Sequence, residues 1–435
     1  MAARLRDGHG GMTVLSDLLA SVFERGAGAA KRGDWSRRPV EELADALISA
    51  HGEISGTLLA EQILARYGTK DDAEKLAFFH HLAGAMNVDP AAARAALDAY
   101  EAAPSRSSYR AFLHEAEPPR QELIRRLNRL PGATGTLVAM RADLLRLGRG
   151  VPELEALDLD FRHLFASWFN RGFLVLRRIT WDTPARVLEK IIAYEAVHAI
   201  DSWDDLRRRV QPDDRRCFAF FHPAMPDEPL IFVEVALTRG IPGAVQPLLA
   251  EGRDALEAVE ADTAVFYSIS NCQSGLAGIS FGNSLIKQVA GDLAGELPNI
   301  ARFVTLSPIP GLMRWVDAER ITPEGGDLPG LAAHYLLNAK GRGTAPLDPV
   351  ARFHLGNGAI VHALHAQADL SEKGRAQSGG VMVNYLYDLR RAAERHEAFA
   401  GDGTIAATSA VKSLATSAEK MLATRADKTA QTKTT

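Results

Sequence analysis

Short segments in the second half of the chain carry the residues able to do chemistry. In Thr305-Leu-Ser-Pro-Ile-Pro-Gly311 a serine, Ser307, stands just past a strand-like run. Pro308 has no ladder N–H to offer, so the sheet is expected to end or splay there. A hydroxyl at such a strand terminus is well placed to reach a ligand. In Asp348-Pro-Val-Ala-Arg-Phe-His-Leu-Gly-Asn-Gly358 the imidazole of His354 precedes a Gly-Asn-Gly turn. Imidazole is the side chain that most readily exchanges a proton near neutral pH. Gln273-Ser-Gly-Leu-Ala-Gly278 lies between the apolar run Ala264–Ser270 and an amphipathic stretch with Leu285, Ile286, Val289, Leu293 and Leu297 on one side. Its glycines permit positive φ and close backbone approach, and N–H groups backed by a helix dipole stabilise a pyrophosphate. Asn283 or Ser284 is the expected cap of that helix.

Taken singly, each segment also fits a structural role. A glycine turn before a helix is common, a turn serine caps backbone, and a given histidine is usually structural. His198, His222, His362 and His365 compete with His354. The dinucleotide pattern G-x-G-x-x-G is absent, so the loop suits a nucleotide-sized anion without support for NAD. No G-x-S-x-G elbow surrounds Ser307, and no H-E-x-x-H or other metal spacing occurs. Neither a metal nor a cofactor is expected.

The elements that must position these residues divide the chain. The first third reads as successive helices, with apolar stripes Leu43/Leu47/Ile48, Leu59/Ile63/Tyr67, Leu123/Leu127/Leu130 and Leu137/Met140/Leu144. Such stripes need burial, so a bundle is expected. Gly148–Pro152 marks a change of pattern. Strand-like runs follow at Gly172–Ile179, Cys217–His222, Pro229–Thr238, Ala264–Ser270 and Arg302–Leu306, with a helical stretch at Pro184–Ile200. Strands mixed with helices predict an α/β or α+β domain. A last helix should run from Thr408 to Leu422, with a polar, disordered tail beyond Thr424.

Composition bounds the rest. The 435 residues are 46% hydrophobic and 24% charged, with a formal net charge of −4. That balance argues against non-specific nucleic-acid binding, which needs a basic surface. Two cysteines, Cys217 and Cys272, suggest reduced buried thiols rather than a disulfide framework. No apolar run approaches membrane-spanning length, Met1–Asp7 lacks the core of a secretory signal, and the chain ends Thr-Lys-Thr-Thr. A cytoplasmic protein is expected.

Together these segments resemble the malonyl-CoA decarboxylase family. The matching stretches are YEAVH (Tyr194–His198), FFHPAMPDEPLIFVEVALT (Phe220–Thr238), FYSISNCQSGLAGISFGNSLIK (Phe266–Lys287), LSPIPG (Leu306–Gly311), DPVARFHLGNGA (Asp348–Ala359) and VNYLYDL (Val383–Leu389). The resemblance implies an all-α helical bundle used in oligomerisation over residues 1–152, and the disordered polar tail read from composition is placed at 426–435. Between them, over 153–425, the resemblance implies an α/β catalytic domain with the fold of the Gcn5-related N-acetyltransferases (GNAT). In that fold the sheet parts at a strand pair to admit an acyl-CoA. The family's CoA-contacting run falls on Ala277, Gly278, Ile279, Ser280, Phe281, Gly282 and Asn283; its catalytic serine and histidine fall on Ser307 and His354, and a nearby tyrosine on Tyr387. The implied substrate is malonyl-CoA, with no cofactor, in a homodimer or homotetramer. One departure is the spacing Gln-x-Gly-x-x-Gly, unlike the ordinary acetyltransferase turn, which tells against amine acetylation more than against CoA binding. An acyl-CoA-dependent acetyltransferase and a non-catalytic CoA-binding scaffold are the alternative readings.

Overall fold

Asp, Ser and Pro at helix starts set the register of the first part of the chain. Asp71 opens the helix Asp72–Gly84 with a capping box shared with Glu74. Asp89 accepts from Ala91 and Ala92 N–H ahead of Pro90–Ala102, and Ser105 caps Arg106–Ala116. The structure, a computed structural model, describes residues 35–432 apart from 51, 280–284, 325 and 342. The chain forms two compact units that part at Phe165.

The first unit is helical. Val40–Ser49, Glu53–Thr69, Pro119–Leu127 and Ala133–Leu147 each bury the stripe read from the sequence, except that Ile48 and Leu130 are only half-buried, and Asp72–Gly84 buries Phe78, Phe79, Leu82 and Ala83 beside them. Phe78 and Phe79 are fully enclosed, where truncation of a phenylalanine typically costs about 3–5 kcal/mol. Pro90–Ala102 and Arg106–Ala116 behave differently. They bury no residue and pair with each other through Tyr100 and Tyr109, whose rings are 5.5 Å apart.

The second unit is built on one mixed sheet. Its strands are β1 (Val175–Ile179), β2 (Arg215–His222), β3 (Met225–Thr238), β4 (Thr263–Asn271), β5 (Arg302–Thr305), β6 (Ser307–Pro308), β7 (Ile360–His365) and β8 (Met382–Tyr387). The order is β1-β2-β3-β4-β5-β8-β6, with β7 on the other side of β8. Among these described strands only β4 and β5 pair in parallel, and a single parallel bridge joins Val361 of β7 to Ala407. Residues 217–221 of β2 and 230–237 of β3, the latter broken only by Glu234, are nearly continuous apolar runs because both faces are covered there. One core holds Val187, Leu188 and Ile191 of the helix Ala185–Tyr194 with Leu206, Cys217, Ala219 and Phe232. Another holds Val265, Tyr267, Val304, Leu306 and Met382 with Val245 and Leu248.

The β4–β5 ladder runs only from Thr263↔Arg302 to Phe266↔Thr305, after which Leu306 N–H closes on the Phe266 carbonyl at 3.0 Å. β4 then continues alone on that side to Asn271. The sheet thus parts at a strand pair, as expected from the resemblance.

Two sequence expectations can be set against the strands and helices, those for Pro308 and for the last helix. The strand ends at Pro308 as expected: Ser307 and Pro308 register against Val383 and Met382, and no pair follows them. A proline is tolerated where its ring nitrogen faces away from the partner strand, and β6 stops directly after it. The last helix extends past Leu422, covering Ser409–Thr432. Among the described residues no helix is long and apolar enough to cross a membrane. Cys217 and Cys272 are free and buried.

Candidate active site

Where β4 and β5 part, three elements bring the candidate residues together. β6 carries Ser307, β8 carries Tyr387, and a short helix, Pro349–Gly356, carries His354. Asp348 starts that helix by accepting from Ala351 N–H at 2.9 Å, with Pro349 at its first position.

Ser307 Oγ lies 3.2 Å from His354 Nε2, and Tyr387 Oη lies 2.8 Å from His354 Nδ1. Both ring nitrogens are therefore engaged. The ring stacks on Tyr385 at 4.5 Å and 24°, and Phe353 meets it edge-on at 5.1 Å. His354 is 2% exposed and Ser307 6%. Burial, with no carboxylate set against it, pushes the His354 imidazole down to about 3. Burial also pushes the Tyr387 phenol well above its ordinary value. The site thus holds a neutral imidazole between two neutral hydroxyls.

A cavity of about 620 Å³ opens at the free end of β4. Asn271, Gln273, Ala277, Gly278 and Ile279 line one side, and Arg352, Phe353, Gly356 and Asn357 of the His354 helix line the other. Phe353 both lines the cavity and touches the His354 ring. Ser307 and His354 are not themselves in the cavity lining. Gly278 has φ +75°, a conformation that only glycine adopts freely. The Leu276, Ala277 and Ile279 N–H groups are spent on carbonyls of the turn itself. Of the sequence-read CoA run, Ala277, Gly278 and Ile279 thus reach the cavity, whereas Ser280, Phe281, Gly282 and Asn283, with the cap candidate Ser284, lie outside the described residues. Among the described residues no group of His, Cys, Asp or Glu is arranged to hold a metal ion.

Sequence reasoning passed over Thr305 and Tyr385. Ser307 Oγ donates to Thr305 Oγ1 at 2.8 Å, and Tyr385 N–H donates to the same oxygen at 3.2 Å. The available signal was spacing, because residues two apart on a strand share a face.

A family model described as the malonyl-CoA decarboxylase C-terminal domain matches residues 172–328 and 325–428, and one described as the N-terminal domain matches 86–169. The chain belongs to the malonyl-CoA decarboxylase family. It is accordingly a carboxy-lyase. It is similar to the crystallised malonyl-CoA decarboxylase of Rhodopseudomonas palustris, at 50% identity and TM-score 0.82 over 86% of this chain and 98% of that one. The malonyl-CoA decarboxylase of Agrobacterium vitis gives 48% identity and TM-score 0.81 over 87% and 99%. The mitochondrial malonyl-CoA decarboxylase of Anser anser anser is 37% identical over 350 residues, which span 68% of this chain and 69% of the goose protein.

Proposed function

We propose that this malonyl-CoA decarboxylase holds its substrate's CoA portion in the cavity beside Gly278 and breaks the carboxyl–carbon bond next to Ser307, His354 and Tyr387. The observation that carries this reading is the hydrogen-bonded chain Ser307–His354–Tyr387 set at the parted strands β4 and β5. Malonyl-CoA is a β-carboxy thioester. Its cleavage releases carbon dioxide, and the bonding electron pair moves into an enolate whose charge sits mainly on the thioester oxygen. A proton must then reach the α-carbon to complete acetyl-CoA. A neutral imidazole N–H is a competent donor to such an oxygen, and a positioned donor of this kind contributes about 2.7–4 kcal/mol. His354 takes this role: its Nε2 proton passes to the α-carbon as Nδ1 takes the Tyr387 hydroxyl proton, and the tyrosine oxygen regains a proton from solvent before the next turnover. Ser307 and Tyr387 fix its ring from both sides. The apolar surroundings favour loss of a charged carboxylate.

This reading has a pH consequence. An imidazole pushed down to about 3 is neutral throughout the working range. The kcat profile should therefore show no step centred near the usual imidazole value of about 6.5. A step there that disappears in His354→Gln would contradict the assignment. For stability the sign is opposite to that of a salt-bridged histidine. The unfolded chain takes up this proton below about 6.5 and the native chain only near 3, so His354 costs stability progressively as pH falls between those values.

We also propose that the helical part mediates self-association into a homo-oligomer. The unburied hairpin Pro90–Ala102/Arg106–Ala116 supports this, with Leu97, Tyr109 and Leu113 exposed. Sedimentation of the full chain should show a dimer or tetramer at micromolar concentration. A monomer there would refute the proposal.

A further inference from the structure

We propose that Thr305 is a positioning residue that sets which nitrogen of His354 carries the proton. The inference rests on the reading of Ser307 and His354 given above. It begins with a hydroxyl's inventory: serine has one proton to donate. Ser307 Oγ spends that proton on Thr305 Oγ1 at 2.8 Å. At its 3.2 Å contact with His354 Nε2 the serine can then only accept. Nε2 must therefore bear hydrogen. Nδ1 is left bare, and its partner at 2.8 Å is the Tyr387 hydroxyl, which burial keeps protonated and able to donate. The chain has one polarity from end to end: Tyr387 O–H to Nδ1, Nε2–H to Ser307, Ser307 O–H to Thr305.

The fold builds the acceptor at the end of this chain. The β5–β8 ladder (Phe303↔Tyr387, Val304↔Leu386) and the β6–β8 ladder (Ser307↔Val383) leave Thr305 and Leu306 between them. In that gap Thr305 Oγ1 takes the Tyr385 N–H at 3.2 Å, and the Thr305 carbonyl takes Asn384 Nδ2 at 2.9 Å. Oγ1 thus accepts twice, from Ser307 and from the Tyr385 N–H, and Thr305, Ser307 and Tyr385 are all buried. An N–H at Nε2, on the Ser307 side of the ring, is the donor that an enolate oxygen or α-carbon needs. With the opposite tautomer the imidazole would present a bare lone pair there. Thr305 touches no substrate in this scheme and acts only through Ser307.

The test pairs Thr305→Val, which keeps shape and removes the acceptor, with Thr305→Ser, which restores it. Thr305→Val should lower kcat about tenfold, the factor for one ordinary hydrogen bond, with KM for malonyl-CoA within about twofold. Thr305→Ser should recover most of the turnover. Nitrogen-15 NMR of the natural protein, with the His354 signals assigned by their loss in His354→Gln, should show Nε2 protonated and Nδ1 bare, and Thr305→Val should shift those signals toward the other tautomer. Natural turnover in Thr305→Val, equal losses in both variants, or a protonated Nδ1 in the natural protein would each overturn the proposal. The last readout needs no variant of Thr305 to fold. Undiminished turnover in His354→Ala would instead sink the underlying assignment.

Discussion

The His354→Ala variant should decarboxylate malonyl-CoA about a hundred to ten thousand times more slowly than the natural protein, the range a positioned proton-transfer group supplies. Ser307→Ala should lose about a hundredfold or more, since a donor misaligned at a developing oxyanion costs on that scale. The argument is geometric. His354 is held by Ser307 at 3.2 Å, by Tyr387 at 2.8 Å and by the stacked Tyr385 ring, so removing the ring leaves the developing charge facing apolar and aromatic groups. Neither residue lines the cavity proposed for CoA. Acetyl-CoA affinity, read by calorimetry, should accordingly stay within about threefold of the natural protein's in both variants, a difference of under 1 kcal/mol. His354→Gln serves as a second variant where alanine destabilises the fold. Turnover near the natural rate in either alanine variant would remove that residue from the mechanism.

The second large effect should appear in binding. Gly278→Val should weaken acetyl-CoA binding about tenfold or more, while saturating turnover falls much less. Gly278 sits at φ +75° on the cavity wall. A side chain there costs about 1–2 kcal/mol in backbone strain, and a branched one also blocks the close approach a phosphate requires. Because the neighbouring N–H groups of Ala277 and Ile279 are already bonded within the turn, the proposed role of the turn in holding CoA rests on its shape and on the dipole of the helix Leu285–Glu296 that follows. Calorimetry with acetyl-CoA checks this. Unchanged affinity in Gly278→Val would dissociate the turn from CoA.

The legible part of this molecule was whatever apolar periodicity writes plainly. β2 to β5 and the helical stripes of the first unit could be read because their residues are buried in unbroken runs or at helical spacing. β7 and β8 escaped notice because polar residues interrupt them. Asn384 is wholly buried in β8, satisfied by the Thr305 carbonyl and by His365, and His362 and His365 break up β7. A polar side chain with a tertiary partner looks, in sequence, like a surface residue. The site was legible as residue types, Ser307, His354 and Tyr387, but their contact was not. It depends on β8 pairing with β5 and β6, which brings Tyr387 opposite Phe303 and Val383 opposite Ser307. Thr305 has no chemical mark of its own, and only the direction of its hydrogen bonds gives it a role.

The most direct measurement is incubation of the full chain with carboxyl-labelled malonyl-CoA and no acyl acceptor, beside the double variant Ser307→Ala/His354→Ala. The natural protein should release labelled carbon dioxide and acetyl-CoA in equal amounts, and the double variant should release almost none while still binding acetyl-CoA. Intact malonyl-CoA from the natural protein, or equally fast release from the double variant, would contradict the account.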